Sequence, residues 1–242
     1  MSGKAFFIDA TRCTACRGCQ IACKEWNQLP AEKTSNWGSH QNPADLSHLT
    51  WKLIRFSEMD GPNNRPVWLF FADQCRHCLD APCQAGAEGV PGAIVVDQDT
   101  GAVIHTKLLQ KVKYEDVLRE CPYNIPRADP KTNIFVKCTM CLDRVGSGLP
   151  PACVKSCPTG AMNFGDRDKM VALAQERFEA RKKVNPNAEL TGIQDLRVFH
   201  LLDHKPEDYY EYARNEPSLT RMQALKKMFK PLGRTLPKSL LG

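Results

Sequence analysis

Short apolar segments alternate with cysteine-rich polar segments through the first two thirds of the chain. Residues 5–9, 50–56 and 67–71 are apolar and aromatic runs of the length of a β-strand. Runs of this length, bounded by turn-forming residues, predict strands. The first and third runs each lead into a group of cysteines, at residues 13–23 and 75–83. The sequence therefore predicts a repeated unit in which a strand is followed by a cysteine-rich loop.

The other segments predict a mixture of short helices and strands. Helices are predicted at residues 21–28, 114–120 and 169–183. Further strands are predicted at residues 93–96, 102–105, 133–136, 162–164 and 196–202. Residues 31–50 are polar and rich in turn formers, which predicts a surface loop. The fold class that we predict is therefore α+β.

Twelve cysteines are the dominant feature of the composition. Many stand two or three residues apart, a spacing that is poor for disulfides and typical of metal sites. Covalently attached haem is excluded because no C-x2-C pair here is followed by histidine. In the run Cys13-x2-Cys16-x2-Cys19-x3-Cys23, three thiols suit one [4Fe–4S] cluster and the fourth points to a second. The alternative is three zinc sites, each held by four thiolates, and the sequence leaves it open.

The spacing also predicts which cysteines share a cluster. In two-cluster ferredoxins each motif gives three ligands to one cluster and its last cysteine to the other. Applied to the two complete motifs, this rule predicts cluster 1 with the ligands Cys13, Cys16, Cys19 and Cys157. It predicts cluster 2 with the ligands Cys138, Cys141, Cys153 and Cys23. The four cysteines that remain, Cys75, Cys78, Cys83 and Cys121, form cluster 3.

The positions at which cysteine is missing support the same division. Completing the two partial motifs would require cysteines where the chain has Ala87, Lys111, Tyr114 and Val117. These four positions would make up the ligand set of a single fourth cluster. Twelve cysteines therefore divide into three full sites with no thiol left over. An iron–sulfur enzyme with an open iron position is disfavoured, because no site lacks a thiolate.

Composition and charge narrow the function further. The chain has 242 residues, of which 42% are hydrophobic and 25% charged, as in a soluble globular protein. No apolar run approaches the ~18 residues of a membrane span, so we expect no transmembrane segment. The formal charge is +6. Three oxidised clusters with their thiolates would add roughly −6, so the basic excess balances cofactors and nucleic acid is not an expected partner.

Three stretches carry a resemblance to a known family. They are residues 13–27, residues 121–127 and residues 137–145 continuing to 153–165. In these stretches the chain resembles the iron–sulfur (beta) subunits of molybdenum- or tungsten-containing bis-pterin oxidoreductases, and most closely those of formate dehydrogenases. The electron-transfer subunits of nitrate, polysulfide and dimethyl sulfoxide reductases are similar, so they remain the alternative. The resemblance covers about residues 4–27 and 66–166.

The resemblance implies an electron-transfer subunit without an active site of its own. It would relay electrons from formate oxidation at a partner's metallopterin through three [4Fe–4S] clusters to an external acceptor, a c-type cytochrome. The missing fourth ligand set and the absence of a C-terminal membrane helix resemble the soluble two-subunit enzymes of sulfate-reducing bacteria. In that group the catalytic alpha subunit carries the Tat signal, so a periplasmic heterodimer is expected, with the cytoplasm as the alternative location. The chain's own N-terminus has no segment typical of a signal peptide.

The motif order predicts two ferredoxin-like units, with the second inserted into the first. Residues 1–65 and 131–167 would form the first unit with two clusters, and residues 66–130 the second with one cluster. Residues 168–242 would be a C-terminal extension that contacts the partner. Its tail carries an apolar stripe at near-helical spacing, made up of Met222, Leu225, Met228, Phe229 and Leu232. Basic residues lie between them, so the tail could be a membrane-surface helix, although packing on the catalytic partner is favoured. A further function class is a binding module that docks through this tail and whose cysteine sites are purely structural.

Overall fold

A computed structural model describes residues 3–61 and 64–213 of the protein. Its first half contains β1 (Lys4–Asp9), α1 (Gly18–Trp26), β2 (Leu53–Asp60), β3 (Pro66–Asp73), β4 (Ile94–Val96), β5 (Val103–His105) and α2 (Tyr114–Glu120). Its second half contains β6 (Arg127–Ala128), β7 (Phe135–Val136), α3 (Leu142–Gly146), α4 (Ala152–Lys155), β8 (Met162–Asp166), α5 (Arg167–Lys182), β9 (Glu189–Thr191), β10 (Val198–Leu202) and α6 (Pro206–Tyr209). Short 3₁₀ helices occupy Ala10–Arg12, Pro82–Ala87 and Lys107–Lys111.

The largest sheet has four strands in the order β8-β1-β10-β9. β1 pairs antiparallel with β8 and parallel with β10, so the two ends of the described chain meet in it. Side chains of β1 alternate between its two faces. Phe6 and Ile8 belong to a buried cluster that includes the thiols of Cys19 and Cys153. Phe7, on the opposite face, packs with residues of α5 and β10. The sheet therefore separates α5 from the cysteine-rich layer.

Three hairpins make up most of the other β structure. They pair β2 with β3, β4 with β5 and β6 with β7. The β2–β3 hairpin is the longest, and its register places Leu53 opposite Asp73. The open end of the hairpin, where β3 ends, lies next to the cysteine layer, because Cys75 follows β3 by two residues. The hairpin therefore positions the first pair of the second cysteine group.

Helices and short strands together confirm the α+β class. All the predicted strands and helices of the described part are present, with bounds shifted by a few residues. The helix predicted from residue 21 begins earlier, at Gly18, because Arg17 adopts a left-handed conformation (φ 58°) that starts it inside the cysteine motif.

The segment after residue 167 contributes to this sheet rather than standing apart from it. β10 lies between β1 and β9, and all five of its residues are buried. The basic tail and its apolar stripe, from Leu219 onward, lie outside the described residues. In the described part, none of the helices combines the length and the apolar character that crossing a bilayer requires.

Candidate metal centres

Each of three cavities in the structure is lined by four cysteine side chains. Site 1 is lined by Cys13, Cys16, Cys19 and Cys157. Site 2 is lined by Cys23, Cys138, Cys141 and Cys153. Site 3 is lined by Cys75, Cys78, Cys83 and Cys121. The structure thus brings all twelve cysteines into the same three groups of four into which the sequence divides them.

Site 1 is the most exposed of the three. β1 and the 3₁₀ helix after it lead the chain to Cys13, and Cys16 is the one exposed cysteine. The Cys157 thiol accepts a hydrogen bond from the N–H of Met162 at 3.4 Å and lies 3.7 Å from the Thr159 hydroxyl. Burial alone would raise the pKa of the Cys157 thiol, but these donors outweigh burial and lower it. The Cys157 thiol therefore ionises more readily than an ordinary cysteine.

Site 2 lies deeper, between α1, α3 and α4. Cys23 lies on α1, Cys153 lies on α4, and Cys138 and Cys141 lie just before α3. Burial raises the pKa of the Cys23 and Cys153 thiols to about 12. Buried thiolates are unfavourable unless something positive holds them, so these groups need a metal or a cation to ionise.

Site 3 combines two loops with the end of a helix. Cys75 and Cys78 follow β3, Cys83 lies in the 3₁₀ helix Pro82–Ala87, and Cys121 caps the C-terminus of α2. Burial raises the pKa of the Cys83 thiol to about 12 and that of Cys121 to about 11. Pro122 follows Cys121 and lines the same cavity. The helix ends there because proline disfavours helical geometry in the residue before it.

The three sites share one turn geometry. The N–H of His77 donates to Cys75 Sγ at 3.4 Å, and the N–H of Met140 donates to Cys138 Sγ at 3.4 Å. The N–H of Ala15 makes the equivalent bond to Cys13. All three donors have left-handed backbone angles, with φ of 54° at Ala15, 45° at His77 and 61° at Met140. The internal repeat predicted from the sequence therefore recurs as a turn that directs an amide at a sulfur.

Apolar side chains meet where the fourth cysteine set is missing. Ala87 and Val117 belong to one buried cluster with Cys83, and Tyr114 packs against it. The hydroxyl of Tyr114 donates to the carbonyl of Pro126 at 2.9 Å. Lys111, the other substituted position, is exposed. Three of the four missing ligand positions thus contribute to a small hydrophobic core.

Buried cations beside the thiols were missed by the sequence reasoning. Lys52 is 2% exposed and lines site 2. Arg76 and Lys137 are also buried, and they line site 3. Lys137 donates to the carbonyls of Val103 and Cys138. The only available signal for Lys52 was a lysine in a predicted apolar strand, whereas Arg76 and Lys137 adjoin cysteines in sequence.

Arg17 and Lys24 adjoin cysteines in sequence, but their side chains contact other groups. The guanidinium of Arg17 donates to the carbonyl of His40 and lies over the Phe56 ring. Lys24 Nζ donates to the carbonyl of Leu49 at 2.6 Å. The ring of His77 is buried, and its Nδ1 accepts a hydrogen bond from the N–H of Val103 at 3.0 Å. His77 therefore makes a structural contact between its loop and β5.

The residues that line these cavities fit [4Fe–4S] clusters. Within the described part of the chain, the lining residues of the three sites include no Asp or Glu, whereas soft thiols and cations are present. In residues 3–61 and 64–213, no three His, Cys, Asp or Glu side chains are grouped closely enough to bind one metal ion. The thiols instead surround a cavity, and amide groups point at their sulfurs. Such hydrogen bonds and cations are the protein groups that tune iron–sulfur clusters.

Comparison with known proteins identifies relatives along nearly the whole chain. A 4Fe-4S dicluster domain matches residues 66–167. The formate dehydrogenase 2 subunit beta (cytochrome c-553) of Nitratidesulfovibrio vulgaris is 52% identical over 214 residues, 87% of this chain and 98% of that protein. The formate dehydrogenase subunit beta of Megalodesulfovibrio gigas is 49% identical over 212 residues, 87% of this chain and 98% of that protein. The formate dehydrogenase-O iron-sulfur subunit of Escherichia coli K12 is 37% identical over 234 residues, 94% of this chain and 77% of that protein.

Proposed function

Because the chain belongs to the family of formate dehydrogenase iron–sulfur (beta) subunits, we propose that it carries electrons from a catalytic partner that oxidises formate to CO2 to an external acceptor. The observation that carries this proposal is the division of twelve thiols among three cavities, four to each. A [4Fe–4S] cluster, when bound, accepts and releases single electrons. The chain's own residues hold, space and electrostatically tune the three sites.

In this proposal, the four cysteines that line each site are the ligands of one cluster. Four thiolates each would hold cluster 1 at site 1, cluster 2 at site 2 and cluster 3 at site 3. The shared turn geometry supports this assignment, because a cysteine sulfur that accepts an amide hydrogen bond is stabilised as a thiolate. The cations Lys52 and Lys137 support it as well, since they supply positive charge where buried thiolates need it.

Site 2 is the middle member of the series. Its Cys153 shares a buried cluster with Cys19 of site 1. Its Cys138 shares another buried cluster with Cys75 of site 3. Sites 1 and 3 therefore form the two ends, one for entry and one for exit of electrons. The exposed thiol of Cys16 makes site 1 an end that a partner could approach closely.

The proposal includes an architecture of two ferredoxin-like units. Residues 1–65 and 131–167 would form the first ferredoxin-like unit, residues 66–130 the inserted second unit, and residues 168–242 the C-terminal extension. The antiparallel pairing of β1 with β8 supports the split first unit, because it joins segments from both sides of the insertion. The proposal that the extension contacts the partner is based on the apolar stripe in the sequence of its tail.

The expected assembly is a heterodimer with a molybdenum- or tungsten-pterin alpha subunit. The name of the Nitratidesulfovibrio vulgaris relative includes cytochrome c-553, which supports a c-type cytochrome as the acceptor. The complex would reach the periplasm through the Tat signal of the catalytic subunit. Replacing the twin arginines of that subunit should leave both chains in the cytoplasm. Periplasmic recovery of this chain without its partner would contradict co-export.

The decisive experiment is metal analysis of the purified, anaerobically prepared complex. We expect about twelve iron atoms bound to this chain and a brown colour that dithionite bleaches. Replacing Cys121 by Ser should remove about four iron atoms and leave the clusters of sites 1 and 2 intact. A colourless chain containing zinc would overturn the electron-transfer function. Loss of all three clusters in the Cys121→Ser variant would overturn the ligand assignment.

A further inference from the structure

Lys52 occupies an unusual position between two of the sites. Its side chain is buried and lines site 2 together with Gln74. Its ammonium interacts electrostatically with the cysteines Cys19, Cys153, Cys138 and Cys23. The first of these belongs to site 1 and the other three belong to site 2. Lys52 therefore interacts with ligands of both sites between which, in the proposed function, an electron passes.

The hydrogen-bond partner of Lys52 does not balance its positive charge. Its Nζ donates to Oε1 of Gln74, a neutral amide that cannot balance a charge. Burying an unbalanced ammonium is costly, so a negative partner must be close. The amide nitrogen of Gln74 is itself buried without a hydrogen-bond partner, so the site presents a further unused N–H donor.

We propose that the Lys52 ammonium, oriented by Gln74, raises the reduction potentials of the clusters at sites 1 and 2 and thereby tunes the electron-transfer step between them. The physical reason is electrostatic. An electron added to a cluster makes it more negative, and a fixed positive charge nearby stabilises that reduced form. The effect is large where solvent is excluded, because screening there is weak. Site 3 is served by other cations, Arg76 and Lys137, and should not respond to Lys52.

The test is a redox titration of the purified complex, followed by electron paramagnetic resonance. It rests on the proposed function, so wild-type iron content is measured first. Replacing Lys52 by Met removes the charge and keeps an apolar stem of similar length. We expect two of the three midpoint potentials to fall, each by about 59 mV. This shift corresponds to a tenfold change in the equilibrium constant for one-electron reduction. The third potential should stay unchanged.

Two further variants separate charge from packing. Lys52→Arg keeps the charge and should keep both potentials close to the wild-type values. Lys24→Met removes a lysine that adjoins Cys23 in sequence, but whose ammonium is bonded to a loop carbonyl, and should shift none. Unchanged potentials in Lys52→Met, or an equal fall of all three, would overturn the proposal. A wild-type complex with fewer than three clusters would instead overturn the proposed function.

Loss of iron on substitution is also informative. Lys52→Gln keeps a buried N–H donor without the charge, and it replaces Lys52→Met where that variant does not retain iron. If both neutral variants lose clusters 1 and 2 while Lys52→Arg retains them, the charge is needed to hold those clusters, which supports the proposal. If Lys52→Arg also loses them, Lys52 serves only to fill space, and the proposal is wrong.

Discussion

Cys19 and Cys23 lie four residues apart on α1, both 7% exposed, and line different cavities. Residues at this spacing share one face of a helix and are separated by about 6 Å along its axis. One turn of α1 therefore forms part of the wall of two sites. Its rigidity fixes the separation of sites 1 and 2 more firmly than a loop could.

Alanine at either position should remove a different cluster. We expect Cys19→Ala and Cys23→Ala each to lose about four iron atoms per chain, because in the proposed assignment each removes one of the four ligands of a single cluster. The spectra of the clusters that remain should differ between the two variants. Iron analysis and electron paramagnetic resonance of the reduced complexes provide the measurement. Identical residual spectra would mean that the two thiols serve the same cluster.

Gly86 allows the 3₁₀ helix Pro82–Ala87 to approach α2 closely. A Cβ at this position would lie 2.5 Å from the carbonyl oxygen of Asp116 and 2.7 Å from the Cα of Val117. Because both are backbone atoms, Gly86→Ala must push the two helices apart and cost about 1–3 kcal/mol. Urea unfolding of the holoprotein should show this loss, with site 3 releasing iron first. Gly89→Ala is the matched control, since a Cβ there meets nothing within 4 Å.

Asp73 is buried between two arginines. Its carboxylate lies 2.8 Å from Arg55 Nη2 and 3.0 Å from Arg76 Nη2. Asp73→Asn would leave two buried cations poorly balanced, so we expect a loss of about 3–5 kcal/mol in unfolding free energy. Asp45 also pairs with Arg55, but its side chain is 48% exposed, and Asp45→Asn should cost less than about 1 kcal/mol. Equal losses in the two variants would contradict the importance of burial.

Removing iron should unfold much of the layer beside the sheet. Cys19, Cys138 and Cys153 are members of the buried clusters that hold this layer together. Without a bound group these cavities would be lined by unsupported side chains, so the melting temperature should fall by about 10 °C or more. Circular dichroism before and after anaerobic chelation measures the change. Restoring iron and sulfide should restore the melting temperature, and an unchanged value after chelation would contradict a structural role for the clusters.

The sequence predicted local features well because their signals are local. Cysteine spacing divided the thiols as the three cavities do, and β1, the β2–β3 hairpin and α5 lie within a few residues of their predicted positions. The left-handed conformations at Ala15, His77 and Met140 could not be anticipated, because residue type alone does not favour them.

Features that depend on distant pairing were not predictable. Nothing near Lys52 in sequence indicates that it lines the same cavity as Cys153, since that depends on how distant segments of the chain pack. The same holds for β10, which was predicted as a strand but not as the parallel neighbour of β1. The composition changes after residue 167, but the pairing of β10 with β1 crosses that change, because sheet pairing does not follow composition.

The parallel pairing of Phe6 with Val198 has a consequence for the order of biosynthesis. When the first strand leaves the ribosome, its neighbour has not been translated, and the sheet that borders the cysteine layer cannot close. All twelve cysteines emerge before that neighbour does, so they pass through a period in which assembly proteins can reach them. Completion of the sheet covers one side of the cysteine layer, so cofactor insertion before translation of the final fifth of the chain meets less obstruction than insertion afterwards.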